Sequence, residues 1–442
     1  MMDATVTHKN SVAPANMHLS SRQIVLWTAL LLLGAVLPWL FFDYSAGRHS
    51  GFLLTMLSQM GMMIIFALSY NMLMGQAGLL SFGHAVFFGL GGYCTIHLLN
   101  AAEKGSFPVP IELMPLMAGF CGLGFGIFFG YMAAKQRATA FAMITMGIGE
   151  LTATSAIMFH HFFGGEGGVS ANRMIEQSIL GLNYASSIQV YYLILAWTVL
   201  AGLGMLFLTK TPLGAMANAA RDNFERAQFM GYDPWRIRFL QFALSGFFAG
   251  IGGGLYAITY EIVTFDAVAA PLSANVVLMT YIGGATTFYG PILGAALITL
   301  LQSWLSLLSN SWLIYVGVLF VAMVTFAPTG LAGMIEAHGP VARAGRLKQL
   351  IVPYLRLSVP GLAVLLGFIS LVELAAYETI GRAQGKAMPG FLAMLATHGV
   401  LVPWVAAVAL LVVGAAWLRR EVKSFAVLWG ELTADLKPQQ RV

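Results

Sequence analysis

The chain has 442 residues, 58% of them hydrophobic and 9% charged, with a formal net charge of +5 and a mean hydropathy of +0.78. A soluble domain carries about 25% charged residues, so this chain lacks the polar surface to cover a soluble core. Its apolar runs are continuous and do not alternate with period two, which excludes a β-barrel and leaves helices to satisfy the backbone in lipid.

In chain order, Met1–Arg22 is polar and aperiodic and reads as a cytoplasmic tail. A membrane span needs about 20 mostly apolar residues. Candidate spans lie at 24–42, 52–74, 79–99, 111–133, 139–162, 189–209, 239–260, 272–287, 290–308, 312–328, 358–377 and 399–418. Ile24–Phe42 is too long for a signal-peptide core, so despite Ser45-Ala46-Gly47 it reads as an uncleaved first span. The 272–287 segment is short and rich in Gly and Thr, as expected of a broken or re-entrant element, and Gly75–Gly92 is similarly Gly-rich. The fold class expected is an all-α polytopic membrane protein of about ten core spans plus a C-terminal two-helix hairpin. The expected organisation is a tail over 1–22, a transmembrane domain over 23–335 with a polar loop at 210–238, and an extension over 336–442.

Basic residues order these spans. Arg22, the pair Lys135 and Arg137, the group Lys210, Arg221, Arg226, Arg236 and Arg238, the group Arg343, Arg346, Lys348 and Arg356, and the group Arg419, Arg420 and Lys423 all fall on one side. That side should be cytoplasmic, with both termini on it. The positive charge is therefore read as membrane topology, with no nucleic acid as partner. Glycines four residues apart (122, 126 and 130; 246, 250 and 254; 290 and 294) put small faces on helices, read as close packing or as sliding faces. Cys94 and Cys121 fall in apolar segments and read as small buried hydrophobes.

No catalytic or nucleotide-binding signature emerges. Gly381-Arg-Ala-Gln-Gly-Lys386 is one residue short of a phosphate loop, has Ala387 in place of the hydroxyl residue, and follows no strand. His160 and His161 are adjacent rather than four apart, and Gly-x-Ser-x-Gly is absent. The expectation is a chain with no catalytic residues, metal or bound cofactor of its own. Polar groups inside lipid are expensive and often functional. Glu150 reads as hydrogen-bonded to a neighbouring helix, as lining a conduit or as contacting a gate; His84 reads as part of a tight break; Glu373 reads as structural. The loop after Lys210 suggests one short amphipathic helix over Ala215–Met230, with Met216, Ala219, Ala220, Phe224, Ala227 and Met230 near one face and Gly231 as its stop. It is either an interfacial helix or one that docks into another protein.

Glu225-Arg-Ala227-Gln-Phe-Met-Gly231 resembles the EAA-xxx-G loop of ABC importer permeases, with Arg226 departing from the first Ala. Ser69–Tyr93, Phe141–Glu150, Gly164–Ser170, Phe247–Tyr256 and the run 283–296 resemble, in order, the branched-chain amino-acid permease family of LivM type. The resemblance covers about residues 52 to 330; beyond 336 the chain departs from it. It implies a permease that conducts branched-chain or other amino acids across the inner membrane. It also implies as partners a second permease of LivH type, two ATPase subunits that use ATP, and a periplasmic substrate-binding protein. On this reading Arg221, Asp222, Glu225, Arg226, Ala227 and Gly231 form the ATPase-coupling segment, and Asn71, Gln76, Ser81, His84 and Glu150 are candidates for the translocation path. Alternatives are the same machine working on urea, short amides or sugars, and a stand-alone ion-coupled transporter. Leu418, Val422, Phe425, Trp429 and Leu432 form an apolar stripe that reads as an interfacial tail helix.

Overall fold

A computed structural model describes residues 21–40, 42–43, 48–136, 138–174, 178–179, 181–182, 184–385, 388, 393–394, 397 and 401–434. Residues 1–20 of the tail expected over 1–22, the cleavage-like 45–47, Arg137 and Lys386 lie outside them. Among the described residues ten helices are long and apolar enough to cross a membrane, and a further pair is bent by 43°. The protein is an all-α polytopic membrane protein, and its β-structure among these residues is two pairs of two-residue strands.

Contacts divide the chain into one unit of Met1–Leu300 with Pro328–Gly330 and another of Leu301–Ala327 with Leu331–Val442. In the first unit the helices are α1 (Ser21–Leu40), α2 (Gly51–Asn71), α3 (Ala85–Glu103), α4 (Met114–Ala133), α5 (Ala138–Met158), α6 (His160–Phe163), α7 (Ser187–Lys210), α8 (Pro212–Asp222), α9 (Phe224–Phe229), α10 (Pro234–Tyr260), α11 (Ala270–Gly283) and most of α12 (Gly290–Leu308). Asp233 accepts from the Trp235 N–H at 3.1 Å and Pro234 opens the first turn, so α10 starts sharply. It packs against both α3 and α4. The stripes at 122, 126 and 130 and at 246, 250 and 254 are this crossing: a Cβ on Gly122 would run into the Gly246 carbonyl, and one on Gly126 would lie 2.9 Å from Ala243 Cα, whereas Gly290 and Gly294 pack on the end of α11. Lipid tails are as apolar as the helices, so close backbone contact rather than the hydrophobic effect holds such a pair.

One end of this unit is closed by polar latches. Val169–Ser170 pairs antiparallel with Ile262–Val263. Arg173 donates to the Thr259 and Tyr184 carbonyls, each at 3.0 Å, so a cation sits on the last turn of α10, where the helix dipole favours it. Glu112 accepts from the Ser178 hydroxyl at 2.6 Å and the Tyr184 hydroxyl at 3.1 Å. Burial and then the Glu112 carboxylate raise the Tyr184 phenol above its usual range. At the other end, Lys135 in the α4–α5 turn lies 4.2 Å from the Tyr131 ring and 5.8 Å from the Trp235 ring.

The second unit contains α13 (Trp312–Phe326), α14 (Gly330–Arg343) apart from its first residue, α15 (Lys348–Ala376) and α16 (Val402–Ala434). Helices α15 and α16 form an antiparallel hairpin, with Gly367 set against the Leu411 backbone and Gly414 against Ala363. Glu373 accepts from the Tyr315 hydroxyl at 2.7 Å.

Several expectations need correction. The tail stripe is not a separate interfacial helix: it continues the last span without a break, and Phe425, Leu428, Trp429 and Leu432 pack with Val341 and Leu350. The span expected over 358–377 begins ten residues earlier, at Lys348. The span expected at 79–99 starts only at Ala85, and that expected at 139–162 stops at Met158 before the separate turn of α6. Helix α11 stops at Gly283, because Gly284 turns the chain at φ +110°.

Candidate functional site

Helix α2 ends in a π-helical turn, Met72–Gln76, and the chain then runs irregularly to Ala85. Gly78 adopts φ +66°, a conformation that disfavours any side chain. Irregular backbone at membrane depth survives only where protein or water covers it. Three elements cover this break. The Ala85 N–H donates to Ser273 Oγ of α11 at 2.9 Å, the Phe82 N–H to Thr145 Oγ1 of α5 at 3.3 Å, and Asn71 Nδ2 to the Thr287 carbonyl at 3.5 Å. A Cβ on Gly75 would collide with the Ala285 carbonyl, so the break and the 284–289 turn touch backbone to backbone.

Asn71, Gln76, Ser81 and His84 are brought together along this buried segment. His84 is wholly buried, with Nε2 3.0 Å from Ser69 Oγ and its ring stacked on Phe66 at 5.4 Å. Asn71 Oδ1, Gln76 Oε1, Ser81 Oγ and His84 Nδ1 have no hydrogen-bond partner among the described residues. Glu150 does not join them. Gly149 of α5 faces the break, where an added Cβ would lie 3.3 Å from Gly83 Cα, whereas Glu150 is exposed on a different face of α5.

The loop between α7 and α10 carries two helices rather than the single one expected over 215–230. Asn223 leaves the helical region at φ −153°, and its Oδ1 accepts from the Arg226 N–H at 2.8 Å, capping a new helix, α9. The buried face is Gly214, Ala217, Ala220 and Ala227; Ala219 and Met230, expected on it, point outward. Gly231, at φ +84°, closes α9: its N–H donates to the Gln228 carbonyl and the Tyr232 N–H to that of Ala227, the double bond of a Schellman stop. Arg221 turns inward, donating to the Gly75 carbonyl, while its guanidinium pairs with Asp222 at 2.9 Å. Glu225 and Arg226 are exposed.

Residues 52–328 match the family described as branched-chain amino acid transport system / permease component. The chain belongs to this family. It is 26% identical over 351 residues to the high-affinity branched-chain amino acid transport system permease protein LivM of Escherichia coli K12, covering 75% of this chain and 80% of that one. A probable LivH permease of Methanocaldococcus jannaschii is 28% identical over 169 residues, covering 36% of this chain and 52% of that one. The guanosine ABC transporter permease protein NupQ of Bacillus subtilis is 29% identical over 172 residues, 38% of this chain and 51% of that one. No solved structure matches.

The matched region of the permease ends just before α14, and it contains the break, α8, α9 and α5. Two features escaped the sequence reading. One is Phe229 with Met230, 90% and 65% exposed at the tip of α9; amphipathic periodicity assumed an unbroken helix and so placed Met230 inward. The other is the pair of hydroxyls on Thr145 and Ser273 that accept from the break's backbone, together with the Thr287 carbonyl that accepts from Asn71, because hydroxyl residues and carbonyls inside apolar runs give no signal of which distant group they meet. The Asn223 cap was readable, since Asn preceding Phe-Glu-Arg is a helix-start signal.

Proposed function

We propose that this permease conducts a branched-chain amino acid across a bacterial inner membrane, worked by ATPase subunits that dock on α8 and α9. The exposed Phe229–Met230 tip carries the reading. Two large apolar side chains stand out of a polar loop, flanked by Glu225 and Arg226, between two spans. An exposed apolar anchor with a charged rim fits a protein groove better than solvent. The α8–α9 loop and the Lys135 turn meet the same end of the unit through Trp235, so their basic residues share a face. The excess of Lys and Arg there favours a cytoplasmic side for that face, and the basic residues flanking the first and last spans favour cytoplasmic termini. ATP is then used by the partners, and the permease itself is not an enzyme and holds no cofactor.

Glu150 supports a second permease. It stands exposed near the middle of α5, among Met143, Met146, Gly147 and Thr154, and makes no hydrogen bond among the described residues. A carboxylate facing lipid at that depth is expensive, whereas one facing a polar path or a partner helix is not. The similarity to permeases of both LivM and LivH name fits two related subunits, with the path between them. A periplasmic binding protein would deliver the solute and set most of the specificity. The guanosine relative keeps nucleosides as a second reading of the solute.

Uptake of labelled leucine by cells carrying this permease with its neighbouring transport genes tests the proposal. Valine and isoleucine are expected to compete and guanosine not to; the reverse pattern transfers the reading to nucleosides. Glu225→Arg and Gly231→Pro are expected to abolish uptake while membrane insertion is unchanged. Proline cannot adopt φ +84° and lacks the N–H that Gly231 uses. Full uptake by both variants removes ATPase coupling through this segment.

A further inference from the structure

We propose that Arg221 is a positioning residue that carries movement of α8 into the buried break between α2 and α3, by holding the Gly75 carbonyl of the π-helical turn. This rests on the importer reading above, in which α8 and α9 are the parts that ATPase subunits move. The sequence alone places Arg221 among the charged edges that would meet an ATPase. The geometry instead points it into its own chain.

Four observations carry the inference. Arg221 Nη1 donates to the Gly75 carbonyl, inside the π-helical turn Met72–Gln76. The stem of Arg221 lies across Gly78, where an added Cβ would fall 2.7 Å from Arg221 Cγ; glycine at φ +66° lets the side chain pass. Asp222 Oδ1 accepts from Arg221 Nε at 3.0 Å, which fixes the plane of the guanidinium. Gly75 is also wedged against the Ala285 carbonyl, so one residue meets both α8 and the turn between α11 and α12.

The element Arg221 holds is the deformable one. A π-turn accommodates one residue more than an α-turn, and such turns interrupt helices mainly at functional places. Moving that residue out of the turn rotates the downstream backbone by about 100° and shifts it by about 1.5 Å along the axis. The backbone so moved carries Gln76, Ser81 and His84, whose Oε1, Oγ and Nδ1 atoms have no partner among the described residues. A pull on Gly75 by way of α8 would therefore re-aim buried polar groups without bending a long helix. Arg221 in the last turn of α8 would also suit the helix dipole. That role alone predicts a change in stability and none in coupling.

The complete transporter, reconstituted with its ATPase subunits and binding protein, separates these. A Leu80→Cys probe placed in the break of a Cys94→Ala, Cys121→Ala background reports movement through its thiol-labelling rate, read without nucleotide and with ATP and vanadate. With Arg221 present the two rates are expected to differ at least threefold. In Arg221→Gln the difference should vanish and leucine imported per ATP hydrolysed should fall at least tenfold, with ATPase subunits still co-purifying. An unchanged ratio and labelling difference overturn the proposal. So does a parallel loss of ATPase binding and hydrolysis, which would make Arg221 an ATPase contact. Should Arg221→Gln fail to assemble, Arg221→Lys decides: a ratio reduced at least threefold supports the proposal and an undiminished one overturns it. If the wild-type transporter neither hydrolyses ATP nor imports leucine, the importer reading itself falls, and this inference with it.

Discussion

His84 and Ser81 share one buried segment but stand in opposite positions chemically. His84 is stacked on Phe66 and hydrogen-bonded to Ser69, which in turn donates to the Phe66 carbonyl at 2.7 Å. Ser69→Ala leaves His84 Nε2 buried without its partner, at a cost of about 1–3 kcal/mol. The expected result is a lower thermal midpoint of the detergent-solubilised permease. Ser81 Oγ bonds to nothing among the described residues. Ser81→Ala should leave the midpoint unchanged, and a role in the path then shows as reduced leucine uptake. A drop in midpoint for Ser81→Ala together with none for Ser69→Ala would reverse these assignments. Glu150 makes a third case. Glu150→Leu is expected to insert normally and to lower uptake at least tenfold, while Glu150→Gln, which keeps hydrogen-bonding capacity, retains more; equal uptake by wild type and Glu150→Leu would place the carboxylate outside the path and the interface.

Among the elements, the crossing of α4 and α10 and the joint between α8 and α9 make different demands on sequence. Gly122 touches the Gly246 carbonyl, so Gly122→Leu overpacks a backbone contact that cannot yield; loss of the monodisperse peak in size-exclusion chromatography is expected. Gly124, two residues away, faces open space, and Gly124→Ala should be neutral or slightly stabilising. Asn223→Ala removes the α9 cap, at a cost of about 1 kcal/mol. Its expected signature is faster hydrogen exchange over 224–229 and weaker ATPase co-purification. The spans were legible in the sequence because a run of apolar residues suffices to define each. The α4–α10 stripe was legible because glycines at four-residue spacing have few uses other than close approach. The tight break at His84 was legible from the Gly-rich run 75–92, but the exact start of α3 and the π-turn were not, since hydropathy is blind to where an apolar Gly-rich stretch becomes helical. The inward turn of Arg221 was hidden for another reason: a charge in a polar loop gives no sign of a buried carbonyl, 146 residues away, that it will meet.

At the scale of the whole molecule, a lipid-embedded bundle offers few handles to a soluble motor. The long helices are apolar, and their glycine-packed crossings resist shear because backbone meets backbone. The α8–α9 pair is different: it is short, amphipathic, capped at both Asn223 and Gly231, and inserted between α7 and α10. Its buried residues are Gly214, Ala217, Ala220 and Ala227, small side chains that seat it on its own unit, while Phe229 and Met230 stand outward. The central claim is that an ATPase subunit grips this tip. Phe229→Cys, in the Cys94→Ala, Cys121→Ala background, tests it most directly by thiol cross-linking within the intact transporter in membranes. The account predicts a cross-link to an ATPase subunit whose yield changes when ATP is added. A residue 229 that cross-links to no nucleotide-hydrolysing subunit, in membranes that still import leucine, would contradict it.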